Sequence, residues 1–153
     1  MIIRKTNFND VGLLVKLRMD YLLNQNKEDS LGNIEKLQSD LFAYFQKSIE
    51  DQNFLAIVAE ENNIVYSTAF LSIADRPPRT SNESSRIGTI YNVYTYPQYR
   101  KQGVATKVVE ALCEEASLFN ISTIDLYASN EGKPLYERLG FQIPYHTYMK
   151  KKV

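Results

Sequence analysis

Residues 96–106 read YPQYRKQGVAT and join an apolar strand to a helix. The residues before them, 90–95, are IYNVYT, a β-branched and aromatic run that favours a strand. Pro97 ends this strand, and an apolar helical period begins at Val104. At a helix N-terminus the first backbone N–H groups lack intrahelical partners, and the macrodipole adds partial positive charge. Because Gly103 lets the backbone approach a ligand closely, the junction predicts an anion site suited to a phosphate.

Two common nucleotide-binding loops do not fit this junction. A P-loop needs a Gly-Lys pair followed by Ser or Thr, and here Lys107 does not follow Gly103 directly. A dinucleotide fingerprint needs three spaced glycines, whereas the junction has one. The residues alone leave open the alternative that Gly103 serves only the geometry of a strand–helix turn.

Two motifs carry a family resemblance. Arg100, Gly103 and Ala105 match the pattern Q/R-x-x-G-x-G/A, and residues 126–141 form a second stretch, LYASNEGKPLYERLGF. Both stretches resemble signatures of the GNAT superfamily of N-acetyltransferases, the first being its pyrophosphate loop. The resemblance implies an α+β fold with a mostly antiparallel central sheet, splayed at the strand before the loop, and helices on both faces. Motif-level similarity is limited to residues 88–141, since the N-terminal third agrees only in its order of elements.

This resemblance also implies an activity. It indicates an N-acetyltransferase that moves an acetyl group from acetyl-coenzyme A to a primary amine of a small molecule or peptide. The amine attacks directly in a ternary complex. The alternative is a non-catalytic acyl-coenzyme A-binding sensor or interaction module.

The resemblance assigns a set of residues to the coenzyme. Arg100 and Lys101 are expected to supply charge to the pyrophosphate, and Asn130 to hydrogen-bond the coenzyme. The loop amides expected to wrap the pyrophosphate are those of Gln102, Gly103, Val104, Ala105 and Thr106. The strand residues expected to pair with the pantetheine arm are Val93, Tyr94 and Thr95, across a gap from residues 124–128.

Two tyrosines are the candidate catalytic residues. Tyr136 matches the family tyrosine that protonates the departing thiolate, although packing on Leu139 and Phe141 is an alternative role for it. At a splayed strand, the backbone N–H of Tyr94 is the natural donor to the oxyanion of the tetrahedral intermediate.

The general base is missing from the expected position. Many relatives carry a glutamate on the strand before the loop, at the place of Asn92. An amide cannot accept the proton, and an alkylamine with a pKa of about 10.4 is mostly protonated at neutral pH. Tyr94 is a candidate to hold a water there, while His146 is expected to be a surface or packing residue.

Composition limits the other possibilities. The chain has 18 Lys and Arg residues and 18 Asp and Glu residues, so no global field attracts nucleic acid or an anionic membrane. Its length fits one domain, residues 1–153. With one histidine and no clustered ligands, no metal is expected. Cys113 lies on an apolar helical stripe and is interpreted as a core residue. The expected location is the cytoplasm, as a monomer or homodimer.

The order of elements follows from the periodicity of apolar residues. A strand, two helices, three antiparallel strands, a helix, a strand, a short helix and a last strand are predicted. Their approximate ranges are 1–5, 10–25, 34–47, 54–59, 64–73, 88–96, 104–119, 121–128, a short helix with Pro134 in its first turn, and 143–153. The polar loop at 74–85 is either a mobile connection or a flank of the substrate site.

Four acidic residues in the N-terminal helical region were considered as a rim for a cationic amine. The favoured interpretation is that they form a solvated helix face: Asp20, Glu28, Asp29 and Glu35.

Overall fold

The computed structural model describes residues 1–25, 31–81 and 83–153. Within them, a 3₁₀ turn follows the first strand and another precedes the third helix, at Phe8–Asp10 and Pro97–Tyr99. The strands and helices are, in chain order, β1 Ile2–Lys5, α1 Val11–Gln25, α2 Ile34–Glu50, β2 Phe54–Glu61, β3 Ile64–Asp75, β4 Arg86–Thr95, α3 Val104–Ser117, β5 Thr123–Leu126 and α4 Lys133–Arg138.

The described strands form one sheet in the order β1-β2-β3-β4-β5. The first four are antiparallel neighbours, and β5 lies parallel to β4 after the crossover through α3. Asn62 and Asn63 join β2 to β3 with positive φ angles of 52° and 62°, a conformation that asparagine tolerates. The predicted α+β class with a mostly antiparallel sheet is therefore confirmed.

Helices cover both faces of the sheet, and each face has its own core. On one face Val108 and Leu112 of α3 pack with Leu55 of β2. On the other face, Phe45 of α2 packs with Phe54 of β2. Since side chains alternate along a strand, β2 supplies both cores and is buried on both sides. This arrangement confirms the prediction of helices on both faces.

The splay predicted for the sheet lies at the middle of β4. Its pairing with β5 ends at Ile90, opposite Leu126, and residues 91–95 have no partner on β5. Asn92 has a φ of 54°, and the register between β4 and β3 shifts at the same place. This is a β-bulge, which bends and twists the strand that carries it. The bulge directs the end of β4 away from β5 and leaves one side of its backbone without a strand.

The strand predicted for residues 143–153 is wrong. These described residues form neither helix nor strand, and Ile143 and Met149 are 77% and 87% exposed. Their alternating pattern is compatible with a strand, but a strand also needs a hydrogen-bonded neighbour. The segment contacts the residue that follows β5, through the rings of Tyr127 and Tyr148, whose centroids are 4.8 Å apart.

The connection between β3 and β4 is shorter than predicted. Both strands extend into it, and the backbone N–H of Arg76 donates to the carbonyl of Ser85 at 2.9 Å. None of the described helices has the length and hydrophobicity that crossing a bilayer requires.

Candidate functional site

A cleft of about 580 Å³ has the unpaired end of β4 in one wall. Residues from α1, from the loop before α3, and from the segment around α4 complete it. The predicted residues in its walls are Val93, Tyr94, Thr95, Arg100, Lys101, Gly103, Val104, Ala105, Thr106 and Tyr136; the other lining residues are Asn24, Gln25, Tyr99, Ser129, Glu131, Gly132, Pro134, Leu135 and Arg138. Both sequence motifs thus contribute to one cavity, and residues 129–138 form the wall opposite β4.

The loop before α3 has the geometry of an anion cradle. Lys101 and Gly103 have positive φ angles of 58° and 74°, and α3 begins at Val104. Among the described residues, no N-cap side chain accepts a hydrogen bond from the first amides of this helix, so these amides can donate to a ligand. A Cβ added to Gly103 would meet no atom of the described residues within 4 Å, because the space in front of this backbone is open. Successive backbone N–H groups in such a turn form a concave site for oxyanions.

Arg100 links the loop to the end of β4. Its Nε donates to the carbonyl of Thr95 at 2.9 Å, and its Cζ is 5.8 Å from the centre of the Tyr94 ring. The guanidinium is therefore held at the cleft. Lys101 adds a second positive charge to the same wall.

Two predicted residues do not line the cleft with their side chains. Gln102 donates from Nε2 to the carbonyl of Gln98 at 3.3 Å. Asn130 is exposed, although its neighbours Ser129 and Glu131 lie in the wall. A role of Asn130 in holding a ligand stays a prediction, as does one for the backbone amide of Gln102.

Tyr136 lies in the wall and also contacts the core. Its ring centroid is 5.8 Å from that of Phe141, in an edge-to-face arrangement. Burial, and to a lesser degree the nearby Tyr21, raises the pKa of Tyr136 above its ordinary value. The phenol is protonated at neutral pH and can act as a proton donor to the cleft. The packing role and the chemical role considered for this residue are thus compatible.

The comparisons with known proteins agree with this geometry. The family model described as acetyltransferase (GNAT) domain matches residues 51–143. A predicted acetyltransferase from Clostridium acetobutylicum, whose structure contains acetyl-coenzyme A, is 34% identical; the alignment covers 98% of this chain and 95% of that chain, with a TM-score of 0.83. The chain belongs to the GNAT acetyltransferase family.

More distant members of the fold support the same architecture. A GCN5-related N-acetyltransferase from Ralstonia eutropha has 21% identity and a TM-score of 0.80, with 99% and 97% of the two chains covered. An aminoglycoside N-acetyltransferase in complex with coenzyme A has 16% identity and a TM-score of 0.72, with 99% and 93% covered. A search of curated protein sequences found no significant match. Membership of the GNAT family supports acetyltransferase activity, with acetyl-coenzyme A as the family's acyl donor and an amine as acceptor.

Gly132 is a site residue of this acetyltransferase that the sequence did not reveal. A Cβ at this position would lie 3.2 Å from Cε2 of Tyr136 and 3.2 Å from Oγ of Ser129. The N–H of Gly132 donates to the same Oγ at 3.1 Å. The absence of a side chain therefore lets α4 bring Tyr136 against the segment before it. A glycine inside the LYASNEGKPLYERLGF motif was the available signal.

Asn92 is buried at the bulge, with 1% of its surface exposed. Its Oδ1 accepts from Nη1 of Arg18 at 3.2 Å, whereas its Nδ2 has no hydrogen-bond partner among the described residues. This environment offers no group that would let Asn92 replace a carboxylate base. Arg18, which lies on α1 and contacts this position, was not identified from the sequence.

The remaining candidates lie away from the cleft or are engaged elsewhere. His146 is exposed in the C-terminal segment, where its ring lies 5.4 Å from that of Tyr145. Cys113 is half-buried on α3, and burial raises the pKa of its thiol. His146 is thus the surface residue that was one of its two expected roles, and Cys113 packs against the core as expected. Among the described residues, no group of three or more His, Cys, Asp or Glu side chains is arranged to hold a metal ion.

Of the four acidic residues considered for a rim, Asp20 and Glu35 do not line the cleft. Asp20 is bound by Lys16 at 2.5 Å and by the hydroxyl of Tyr96. Glu35 lies in the first turn of α2, where a negative charge favours the helix dipole. Glu28 and Asp29 lie outside the described residues.

Proposed function

We propose that the protein, as one domain of residues 1–153, transfers an acetyl group from acetyl-coenzyme A to a primary amine of a small molecule or peptide by direct attack in a ternary complex. The observation that carries this proposal is the single cleft in which the loop before α3, the unpaired end of β4 and Tyr136 meet. The related Clostridium protein, which was solved with acetyl-coenzyme A, supports the choice of donor.

The chain offers the features that a coenzyme A molecule requires. The amides of residues 102–106, with Arg100 and Lys101, suit the charge of a pyrophosphate at a helix N-terminus. The unpaired side of residues 93–95 offers backbone groups to an extended, amide-containing arm. When bound, acetyl-coenzyme A supplies an acyl thioester.

The chemistry needs a proton donor and a donor to the oxyanion. As the amine nitrogen bonds to the acyl carbon and the carbon–sulfur bond breaks, Tyr136 gives its proton to the leaving sulfur. The backbone N–H of Tyr94 donates to the acyl oxygen, whose negative charge grows in the transition state. Holding both reactants in one cleft supplies much of the rate.

The proton of the amine leaves to water, because Asn92 cannot take it. The products are an amide and the free thiol: the nitrogen loses one proton to water, and water returns one proton to Tyr136, so no net proton is released when a neutral amine reacts. Since only the neutral amine attacks, the rate is expected to rise with pH towards the pKa of the acceptor. A water held near Tyr94 is the proposed first acceptor.

Thiol release tests this function. Acetyl-coenzyme A is mixed with amines, amino acids and peptides, and the free thiol is followed over time. Replacing Tyr136→Phe is expected to lower kcat by roughly 100-fold or more, the range of general acid catalysis. The matched control is Tyr145→Phe, since Tyr145 is 97% exposed outside the cleft. A Tyr136→Phe enzyme with wild-type kcat would refute the acid role.

A second candidate function follows from Asn92. The buried amide at the bulge has no basic group to remove a proton, which favours a domain that binds acyl-coenzyme A as a sensor or interaction module without turnover. Such a module would bind the coenzyme saturably and release no thiol above hydrolysis across the acceptor panel. Release with any acceptor decides in favour of the enzyme.

A further inference from the structure

Arg18 is a positioned cation on the α1 side of the sheet. Its Cζ lies 5.5 Å from the ring centre of Tyr21 and 5.5 Å from that of Tyr91. In contrast to Arg4, which pairs with Asp10 and Glu60, it forms no ion pair with a carboxylate of the described residues. The two rings hold the guanidinium in place through cation–π contacts but do not neutralise it.

Two buried hydrogen-bond donors next to Arg18 have no acceptor. Within the described chain, the hydroxyl of Tyr91 and Nδ2 of Asn92 are both buried and neither makes a hydrogen bond of good geometry, although the hydroxyl of Tyr44 lies near that of Tyr91. Leaving such a group unsatisfied costs about 1–3 kcal/mol, so these groups are expected to serve a ligand. Burial, with a smaller effect of Tyr44, raises the pKa of Tyr91, which keeps its hydroxyl as a donor. Three donors with free N–H or O–H groups suit a ligand that only accepts.

A cavity of about 300 Å³ gives a ligand access to two members of this cluster, Arg18 and Tyr91. Its walls combine Arg18 and Tyr91 with apolar and small side chains of α2 and β3, namely Leu41, Tyr44, Phe45 and Ser72. One cation in a largely apolar cavity matches a single negative charge and a short carbon chain. A carboxylate meets this description better than a phosphate, which carries more charge and more acceptors to satisfy.

The cluster lies next to the cleft of the proposed reaction. Tyr21 contacts Arg18, and its ring is also 6.3 Å from the ring of Tyr94 in the cleft wall. One aromatic ring, that of Tyr21, therefore separates the cation from the ring of Tyr94 in the cleft wall. A molecule with a carboxylate at one end and an amine at the other can reach both.

We propose that the acceptor is an amine that carries a carboxylate, such as an amino acid, and that Arg18, Tyr91 and Asn92 bind this carboxylate. The proposal rests on the function proposed above and names the class of its acceptor. It also accounts for asparagine at the bulge. A carboxylate at position 92 would pair with Arg18 and repel the acidic group of the acceptor, whereas Nδ2 of an amide can donate to it.

Matched acceptors test the proposal. Each of a series of amino acids, from glycine to 6-aminohexanoate and including α-amino acids with longer side chains, is compared with its own carboxamide. The acid group and the pKa of the amine both differ within a pair, so each kcat/KM is calculated for the concentration of the neutral amine. We expect wild-type kcat/KM to be roughly 10- to 100-fold higher for the best acid than for its amide, the value of a charge-assisted hydrogen bond. Equal values for every pair would overturn the proposal.

Variants assign the preference to the cluster. Arg18→Gln is expected to remove most of it, and Arg18→Lys to keep part, since lysine retains the charge but not the planar fork. Asn92→Asp is expected to remove the preference for the acid as well, because the new carboxylate forms an ion pair with Arg18. Arg79→Gln is the control, since Arg79 is exposed between β3 and β4. A preference that survives in Arg18→Gln would overturn the assignment.

Binding separates this proposal from the proposed function. The acid and its amide are titrated calorimetrically into wild-type and Arg18→Gln protein, each saturated with coenzyme A. One outcome is that no acceptor is turned over, while the acid binds 10- to 100-fold more tightly than the amide to the wild type but not to Arg18→Gln. This outcome refutes transfer and supports the carboxylate site. If transfer occurs but acid and amide bind and react equally, the carboxylate site is refuted and transfer stands.

Discussion

The substitution Gly103→Ala is expected to affect two separate quantities. It lowers stability because alanine disfavours the left-handed backbone conformation, and it weakens coenzyme A binding because the methyl group enters the anion site. Gly103 has a φ of 74°, and an alanine held there costs about 1–2 kcal/mol. No described atom lies within 4 Å of the added Cβ, so no further clash is expected in the free protein. In a chain of 153 residues this predicts a Tm lower by roughly 2–8 °C. The methyl group, however, lies in the open space where we place the pyrophosphate, and losing one charge-assisted hydrogen bond there weakens coenzyme A binding by roughly 10- to 100-fold.

Gly32→Ala is the matched control for this experiment. Gly32 has a φ of 67°, and a Cβ added there would likewise meet no atom of the described residues within 4 Å. Both variants should lose similar stability in a thermal melt, and only Gly103→Ala should bind coenzyme A more weakly in a calorimetric titration. If Gly103→Ala bound coenzyme A as tightly as Gly32→Ala, the loop before α3 would not be the phosphate site.

Two further changes test other parts of the structure. Gly132→Ala places a Cβ 3.2 Å from the ring of Tyr136. We expect kcat to fall about tenfold, as for a slightly misplaced catalytic group, with a small change in Tm. An unchanged kcat would mean that the position of the Tyr136 ring does not affect the reaction. Asp10→Asn removes the ion pair with Arg4 and the negative charge that accepts from the N–H of Asn7, although the amide oxygen can still accept this hydrogen bond, and we expect about 1 kcal/mol less stability at pH 7. Arg4 lowers the pKa of Asp10 in the folded protein, so this stabilisation is complete above the unfolded value of about 3.9 and is lost as the pH falls. The melting temperatures of both proteins should therefore approach each other as the pH falls below 4 through the lowered pKa of Asp10, and a constant difference would contradict this cause.

Local patterns predicted most of the fold correctly. The helical periodicity of apolar residues predicted the ends of α1, α2 and α3 to within a few residues, and the two adjacent asparagines predicted the turn between β2 and β3. The failure at residues 143–153 has a physical reason. Alternation shows which faces a strand would present, whereas a strand forms only where another backbone offers hydrogen bonds.

The candidate site was predictable where it depends on motifs. The loop residues and Tyr136 were found because their spacing within YPQYRKQGVAT and LYASNEGKPLYERLGF is itself informative. Arg18 was missed because an arginine on an amphipathic helix has no distinctive neighbours in sequence. Its partners Asn92 and Tyr91 are more than 70 residues away along the chain.

The local sequence by itself determines the turn at residues 100–103 and the start of α3 at Val104. Together these two features favour an anion at the helix N-terminus. These depend on φ angles and free amides of adjacent residues, which the local sequence sets. The tertiary structure alone decides how far β4 stays with β5 and which donors meet at Asn92. Those features arise from a bulge in a sheet and from packing of α1 on β4, where residues distant in the chain compete for the same space and hydrogen bonds.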